Sequence, residues 1–285
     1  MNILVIGANG QLGCEFQTLA KTITQHNFYF ATRAKVDLSK ADFVTKIIEL
    51  NLSLDVILNC AAYTKVDQAE SEITLADTVN AKAVNYLGQY CQANNIVLVH
   101  FSTDYVFDGN NAKPNAIDAP KNPLNVYGKT KLEGEIYLQN IEKKYILRTS
   151  WVYSTFGTNF IKTMLKLAET KNEINVVADQ IGRPTYAKHL ATATLEIIEN
   201  KIPFGIYHYC NLGTCSWFEL ATAIFEITKI PILVNPINSD KYVTAAKRPA
   251  NAVLDLSRLQ AHQIKFYDWR DALKEMLYLQ NSLKT

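Results

Sequence analysis

Tyr127 and Lys131 lie one helical turn apart in segment 126–138, whose pattern predicts a helix. Residues at i and i+4 share a helix face, so the two side chains are expected to be neighbours. A phenol has an ordinary pKa of about 10 and is a poor proton shuttle at neutral pH. A nearby ammonium stabilises the phenolate and lowers that pKa. The pair is therefore suited to protonating the alkoxide that develops when hydride adds to a ketone.

Thr103 adds a hydroxyl to this candidate site. It lies in Ser102-Thr103-Asp104, at the end of the fourth apolar run, and is expected to donate a hydrogen bond to the same oxygen. Tyr-x-x-x-Lys spacing alone is common on solvated helices. Its position behind a series of predicted strands favours a catalytic role.

Five short apolar runs alternate with helix-like segments in the first half of the chain. Strands that are apolar throughout and alternate with helices indicate a parallel sheet covered on both faces. The predicted fold class is therefore α/β, a doubly wound Rossmann sheet that binds ligands at the carboxyl ends of its strands. The predicted strands are 3–8, 28–31, 56–62, 96–102 and 145–151, and the predicted helices are 12–21, 40–50, 75–93 and 126–138.

A glycine-rich turn directly follows the first predicted strand and opens a helix. Gly7 permits the tight turn, Gly10 lets the backbone approach a pyrophosphate, and Gly13 allows close packing of helix on strand. The helix N-terminus presents free N–H groups to the anion. A glycine triplet is weak by itself, but this position in a βαβ unit predicts a dinucleotide site.

Residues after the second and third strands bear on the cofactor. A carboxylate after the second strand would favour NAD, whereas arginine suits the 2′-phosphate of NADP. Arg33 is the leading candidate and Lys35 the second, and the alternative that both are solvated surface cations stays open. Asp37-Leu38 are placed to flank the adenine. The small Ala61-Ala62 pair would let a cofactor lie against the backbone.

The second half alternates less regularly. Residues 1–151 are predicted to form an NAD(P)-binding Rossmann domain, and residues 152–285 mainly a smaller α/β substrate-binding domain. No Gly/Ser-rich linker separates them, so the boundary is soft, and helix 187–199 is expected to return to the first domain. The other predicted elements are helices 159–170, 216–228 and 268–279 and strands 174–177, 206–210 and 232–234.

Composition and charge exclude several classes of protein. The chain has 285 residues, 48% of them hydrophobic, and a formal net charge of +2, which argues against a nucleic-acid-binding surface. The N-terminal apolar run is too short for a signal peptide or a membrane span. Five cysteines without paired spacing predict reduced thiols and a cytoplasmic protein. The five histidines show no metal-ligand spacing and are interpreted as structural or surface residues.

These motifs together resemble the extended short-chain dehydrogenase/reductase family, and within it the dTDP-4-dehydrorhamnose reductases. The resemblance covers nearly the whole chain in order. It implies reduction of the C4 ketone of dTDP-4-dehydro-L-rhamnose to dTDP-L-rhamnose with NADPH, with NADH also possible. The matching segments are 7–13, 60–70, 102–109, 123–131, 148–153, 159–160, 179–185 and 248–249.

The resemblance also implies roles for individual residues. Tyr127 is the acid, Lys131 its partner and Thr103 the donor to the carbonyl. The implied cofactor contacts are Gly10, Gln11, Leu12, Asp37, Leu38, Ala61, Ala62, Tyr127 and Lys131. The implied sugar-nucleotide contacts are Thr64, Val66, Thr103, Asp104 and Trp151. Trp151 is alternatively an interface aromatic.

Arg248 is a further candidate contact, to the substrate diphosphate, because arginine suits phosphate. The alternative is a solvated cation before the rigid Pro249.

A magnesium-linked dimer is known in this family, formed by carboxylates from two subunits. One matching carboxylate is present as Glu15, but the second falls at Lys188 and the third near Leu279. Magnesium needs hard oxygen ligands, which neither side chain supplies. The sequence therefore predicts no metal, and a monomer or a weak homodimer without a magnesium bridge.

Two other functions stay open. One is a non-catalytic NADP-binding subunit resembling the regulatory subunit of methionine adenosyltransferase, which keeps a similar Tyr-Gly-Lys-Thr-Lys stretch. The other is a different sugar-nucleotide reductase, epimerase or dehydratase. A 4,6-dehydratase would be expected to carry Asp-Glu after the threonine, where this chain has Asp104-Tyr105. Segments 150–153 and 179–185 favour the reductase.

Overall fold

A six-stranded parallel sheet forms the centre of the computed structural model, which describes residues 1–282. The strands are β1 (Asn2–Ile6), β2 (Asn27–Ala31), β3 (Val56–Asn59), β4 (Val97–Thr103), β5 (Lys144–Thr149), β6 (Val152–Tyr153), β7 (Glu173–Val177), β8 (Ile181–Gly182), β9 (Thr185–Tyr186), β10 (Gly205–His208), β11 (Cys215–Ser216) and β12 (Leu233–Ile237). The sheet has the order β10-β5-β4-β3-β1-β2, with every neighbouring pair parallel.

Helices pack on both faces of this sheet and in a separate core of the second half. They are α1 (Gln11–Ala20), α2 (Phe43–Glu49), α3 (Val66–Ala69), α4 (Ile73–Asp77), α5 (Ala83–Ala93), α6 (Val126–Tyr137), α7 (Phe160–Ala168), α8 (Ala187–Glu199), α9 (Trp217–Thr228), α10 (Ser257–Gln260) and α11 (Trp269–Ser282). On one face, α1 and α8 pack in a core with Ile3 and Val5; on the other, α2 and α5 pack with Leu4 and Ile6. Alternate β1 side chains thus enter opposite cores, which is why the strand is apolar throughout. The predicted fold class is confirmed.

Residues from the second half contribute to this sheet as well. Strand β10 pairs with β5, and Leu190 of α8 lies in the same core as Ile3. A separate core in the second half joins α7, α9 and α11 to β7, which pairs with β12. The division into residues 1–151 and 152–285 stays a prediction.

The predicted helix 75–93 is interrupted in the structure. Between α4 and α5, residues Thr78–Lys82 form a π-helical turn. Its buried Asn80 bonds the backbone N–H and C=O of Tyr63 at 2.9 and 3.0 Å and the Thr130 hydroxyl at 3.2 Å. A π turn inserts an extra residue and redirects side chains. The π turn thereby places Asn80 where it hydrogen-bonds both the loop after β3 and helix α6.

No helix within residues 1–282 has the length and apolar character needed to cross a membrane.

Candidate active site

A cavity of about 730 Å³ opens at the carboxyl ends of β1 to β4. Most of the predicted cofactor residues meet there, although they come from distant parts of the chain. The predicted residues that line it are Gly7, Gly10, Gln11, Leu12, Arg33, Asp37, Leu38, Ala61, Ala62, Thr64, Tyr127 and Lys131. Parallel strands bring these turns to one edge, where the sheet can hold an extended ligand.

The glycine turn fits a dinucleotide sterically. Gly7 has φ +79°, and a Cβ there would lie 2.7 Å from the Ala61 nitrogen. A Cβ on Gly13, which packs beneath the turn outside the cavity lining, would lie 2.4 Å from the Gly7 oxygen. Gly10 is the N-cap of α1 and has no side chain to cover the first-turn N–H groups. The turn therefore leaves a helix N-terminus open to a phosphate.

Arg33 lies at the rim of this cavity and its side chain is 75% exposed. Its Nε donates to the Asp37 carboxylate at 3.1 Å, and Ser39 bonds the same carboxylate. Asp37 thus orients the Arg33 guanidinium, and the exposed side chain can bind an anion in the cavity. Lys35 is exposed and is not part of the lining.

Thr103 and Asp104 form a buried pair at the end of β4. The Thr103 hydroxyl donates to Asp104 Oδ1 at 2.9 Å, and the Tyr105 N–H donates to Thr103 Oγ1 at 3.2 Å. Asp104 is 2% exposed, and within residues 1–282 its Oδ2 has no hydrogen-bond partner. Burial raises the pKa of Asp104 to about 7, with hydrogen bonds from Thr103 and the backbone opposing the rise.

Tyr127 lies in the first turn of α6, which two side chains fix in place. Asn125 caps the helix by accepting from the Gly128 N–H at 2.8 Å, and Glu70 accepts from the Val126 N–H at 2.8 Å. The Tyr127 ring meets the edge of Tyr105, with centroids 5.8 Å apart. Burial raises the pKa of Tyr127 to about 12, while a hydrogen bond with Thr103 lowers it. Tyr127 and Thr103 are therefore neighbours. The expected lowering of the Tyr127 pKa by Lys131 is wrong for this structure, because burial dominates and raises that pKa. The catalytic roles stay predictions.

Lys131 is 2% exposed and extends from α6 toward β4. Its Nζ donates to the Phe101 carbonyl at 2.6 Å and lies 3.1 Å from His100 Nε2. Burial lowers the pKa of Lys131 to about 8, and the Glu135 carboxylate opposes this. Lys131 and Tyr127 line the same cavity, but the hydrogen bonds of the ammonium are to β4.

A second cavity, of about 930 Å³, lies beside α7 and β7. Arg248 is one of the residues that line it. Arg248 Nη2 lies 2.6 Å from Asp67 Oδ2, and Asp67 also accepts from the Ala246 N–H at 3.0 Å. The Asn125 amide donates to the Lys247 carbonyl at 2.8 Å. These bonds join the segment around Arg248 to α3 and to the start of α6.

Four predicted substrate residues lie outside both cavity linings, and two of them, Thr103 and Asp104, form the buried pair at the end of β4. The other two are Trp151 and Val66. Trp151, with φ +48°, stacks on Trp217 with centroids 3.5 Å apart. A Cβ on Gly182 would lie 2.5 Å from the Trp151 ring, so the indole is packed on both sides. Val66 begins α3 and is half-buried. Contacts of Trp151 and Val66 with a sugar nucleotide stay predictions.

Two of the predicted metal positions, Glu15 and Lys188, lie in a polar cluster with Glu275 and His189. Glu15 is buried and accepts from the Ser154 hydroxyl at 2.6 Å. Lys188 Nζ lies 2.5 Å from the Glu275 carboxylate, which His189 also contacts at 2.9 Å. Glu275 lies one turn before Leu279 on α11. No group of three His, Cys, Asp or Glu side chains within residues 1–282 is arranged to hold a metal ion.

Sequence reasoning missed three residues that hold the site together: Asp67, Glu70 and His100. Asp67 and Glu70 lie in the 60–70 motif, but their partners are 181 and 56 residues away. His100 is a polar residue within an otherwise apolar strand, which was the available signal.

Residues 1–281 match the RmlD substrate binding domain. The chain belongs to this family.

Curated relatives of this RmlD-family protein span its full length. It is 41% identical to a dTDP-4-dehydrorhamnose reductase of Aggregatibacter actinomycetemcomitans, over 96% of this chain and 97% of the relative. It is 38% identical to the Escherichia coli (strain K12) protein of the same name, over 97% of each.

Solved structures of relatives agree with the fold. A Clostridium acetobutylicum dTDP-4-dehydrorhamnose reductase superposes with a TM-score of 0.94 at 36% identity, covering all of both chains. The Bacillus anthracis enzyme, solved in complex with NADP, gives 0.91 at 34% identity, over 97% and 98% of the chains. A Thermus thermophilus UDP-glucose 4-epimerase gives 0.81 at 17% identity over 99% of each chain, which shows the shared fold alone.

Proposed function

We propose that this protein reduces the C4 ketone of dTDP-4-dehydro-L-rhamnose to dTDP-L-rhamnose, with NADPH as the favoured reductant and NADH as a second one. The observation that carries the proposal is that Tyr127 and Lys131 line a cavity that begins at a glycine turn, with Thr103 hydrogen-bonded to Tyr127. Full-length relatives named dTDP-4-dehydrorhamnose reductase support the substrate.

Tyr127 is the proton donor in this proposal. Burial raises its pKa to about 12, which keeps the proton on the phenol until charge develops on the C4 oxygen. In the substrate complex the Thr103 hydroxyl turns its proton from Asp104 Oδ1 to the C4 oxygen, and the Lys131 cation stabilises the phenolate that remains. Bound NADPH supplies the hydride.

The residues present fit the cofactor. Gly7 and Gly10 leave room for the pyrophosphate at the start of α1. Arg33, whose side chain is oriented by its hydrogen bond to Asp37, would pair with the 2′-phosphate of NADPH. Ala61 and Ala62 would face the cofactor with little side-chain bulk.

The substrate is expected to extend from Thr103 toward the second cavity. That cavity is lined by three cationic side chains, Lys171, Lys241 and Arg248, which suit a diphosphate. Aromatic Phe160 and Trp217 also line it and suit a base. We therefore propose that residues 152–285 provide most of the sugar-nucleotide contacts, with residues 1–151 holding the cofactor.

We also propose a cytoplasmic protein that binds no nucleic acid and no membrane, and that is a monomer or a weak homodimer without a bridging magnesium ion. The Lys188 ammonium on Glu275 supports the last point, because it places positive charge where a cation would bind.

The test is NADPH oxidation followed at 340 nm with dTDP-4-dehydro-L-rhamnose, together with identification of the product. Stoichiometric NADPH consumption and formation of dTDP-L-rhamnose would support the proposal. Tightly bound NAD that is not consumed would indicate an epimerase or dehydratase instead, and cofactor binding without turnover would indicate a binding subunit.

A further inference from the structure

The surroundings of Lys131 are unusual for a buried cation. Its two hydrogen-bond partners within residues 1–282, the Phe101 carbonyl at 2.6 Å and His100 Nε2 at 3.1 Å, are both on β4. Within residues 1–282, no carboxylate lies close enough to form a salt bridge with it. Buried charges are normally paired, so the neutral acceptors around Lys131 must stabilise it.

The chemistry of these groups fixes where the protons lie. An ammonium can only donate, so His100 Nε2 must accept and the imidazole proton must be on Nδ1. Nδ1 lies 3.2 Å from the Asn59 amide nitrogen, and the Asn59 oxygen has no partner within residues 1–282. A half-turn of the amide presents that oxygen to Nδ1–H. With Lys131 charged, the chain of donors therefore runs from Lys131 to His100 to Asn59.

The opposite arrangement is also self-consistent. If Lys131 is a neutral amine, His100 Nε2–H donates to it and the Asn59 amide nitrogen donates to Nδ1. The Nε2–H tautomer of His100 therefore requires a neutral Lys131, because an ammonium has no lone pair to accept that proton.

His100 itself stays neutral in both arrangements. It is fully buried, and burial, together with the Lys131 cation, lowers its pKa well below the ordinary value. The charged or titratable groups facing Lys131 are His100 on β4 and Glu135 and Tyr127 on its own helix. Glu135 is already bound by Arg148 of β5 and by the Ser102 hydroxyl. Its charge is thus shared, and His100 is the side-chain acceptor that Lys131 contacts directly.

We propose that His100 is a positioning residue for the reduction: oriented by Asn59, it accepts from Lys131 and keeps that cation charged and fixed at the end of β4. The effect of His100 on catalysis rests on the proposed reductase function, whereas the contact between His100 and Lys131 rests on geometry alone. This positioning role replaces the sequence-based interpretation of this histidine as merely structural.

The first test compares kcat/KM for the keto-sugar between pH 6 and 10 in three variants. His100→Leu removes the acceptor, His100→Gln keeps one, and His208→Leu removes another buried sheet histidine that does not touch Lys131. Because the acceptor favours the ammonium, its loss should move the alkaline limb, expected near pH 8, lower by about one pH unit or more. His100→Gln should retain most of the wild-type limb, and His208→Leu should change Tm without moving the limb.

A limb that stays in place in His100→Leu would overturn the proposal. So would an equal shift in the Gln and Leu variants, because that would indicate packing rather than hydrogen bonding. NADPH binding and Tm show whether each variant is folded.

The second test does not depend on activity. ¹⁵N NMR of protein with labelled histidine shows which ring nitrogen carries the proton, and the His100 signal is identified by its absence from His100→Gln. We expect Nδ1–H at pH 7, changing toward Nε2–H as Lys131 loses its proton, and no such change in Lys131→Met. Nε2–H at pH 7 would contradict the inference. If the tautomer behaves as expected while the wild type reduces no keto-sugar, the proposed function fails and the Lys131–His100 contact stands.

Discussion

Arg248 and Asp67 form an ion pair, with Arg248 Nη2 2.6 Å from Asp67 Oδ2. Asp67 lies on α3 beside the cofactor cavity, and Arg248 lines the second cavity. The hydrogen bond from Arg248, with support from the Ala246 N–H, lowers the pKa of Asp67 although burial opposes it. Asp67 therefore orients the Arg248 guanidinium in the lining of the proposed diphosphate site.

Removing either partner should weaken substrate binding more than catalysis. Asp67→Asn should raise KM for the dTDP-sugar by up to about fivefold, because the pair is partly exposed and screened. Arg248→Ala should raise it about tenfold or more, since a charged hydrogen bond to phosphate is lost. Steady-state kinetics measures both. Arg270→Ala, which removes an exposed pair with Glu226, is the control. A fall in kcat with KM unchanged would argue against a diphosphate contact.

Tyr127→Phe should retain NADPH binding and lower kcat by about a hundredfold or more, because the ring remains and the proton donor is lost. Tyr137→Phe, at the exposed end of the same helix, should leave kcat unchanged. Cofactor affinity is measured by fluorescence titration and kcat by NADPH oxidation. Near-full activity in the Phe variant would show that another group donates the proton.

Arg33→Ala should lower kcat/KM for NADPH and leave that for NADH nearly unchanged. The expected loss is about tenfold, the value of one charge-assisted hydrogen bond to a partly exposed phosphate. Lys35→Ala, which removes an exposed cation outside the cavity lining, serves as the matched control. An equal loss with both cofactors would mean that Arg33 does not read the 2′-phosphate.

The sequence predicted the sheet and the glycine turn well because both follow from local patterns. The apolar runs become β1 to β5, and the turn from Gly7 fits only glycine at its first position. The π turn at Asn80 was not predictable, because its cause is a set of bonds to Tyr63 and Thr130, 17 and 50 residues away. The pairing of strand β10 with β5 was not predictable either, because the residues of β10 do not specify which strand they pair with.

Asp104 should make stability depend on pH. Its pKa is raised in the folded state to about 7, so the folded protein holds a proton that the unfolded chain has lost. Stability should therefore fall as pH rises from about 4 to 7, the interval between the unfolded and folded pKa values. Asp104→Asn removes the buried charge and should raise Tm relative to wild type at pH 8, with little difference at pH 4. Asp118→Asn, which removes an exposed carboxylate, controls for net charge. Equal Tm differences at both pH values would contradict a raised pKa for Asp104.

Activity and assembly should not respond to magnesium. Lys188 already neutralises Glu275 at 2.5 Å, and the buried Glu15 carboxylate accepts from Ser154 at 2.6 Å. Burial raises the pKa of Glu15, while the Ser154 hydrogen bond and the nearby Lys188 cation lower it. Lys188 thus serves as a counter-charge in this cluster. A divalent cation placed here would meet an ammonium and lack the oxygen ligands that it requires. Sedimentation velocity and NADPH oxidation with EDTA or with added MgCl₂ should agree within error. Lys188→Glu supplies the missing carboxylate and is the informative variant, since it tests whether the ammonium is what prevents binding. A wild-type dimer that dissociates on chelation would show that the ion binds despite Lys188.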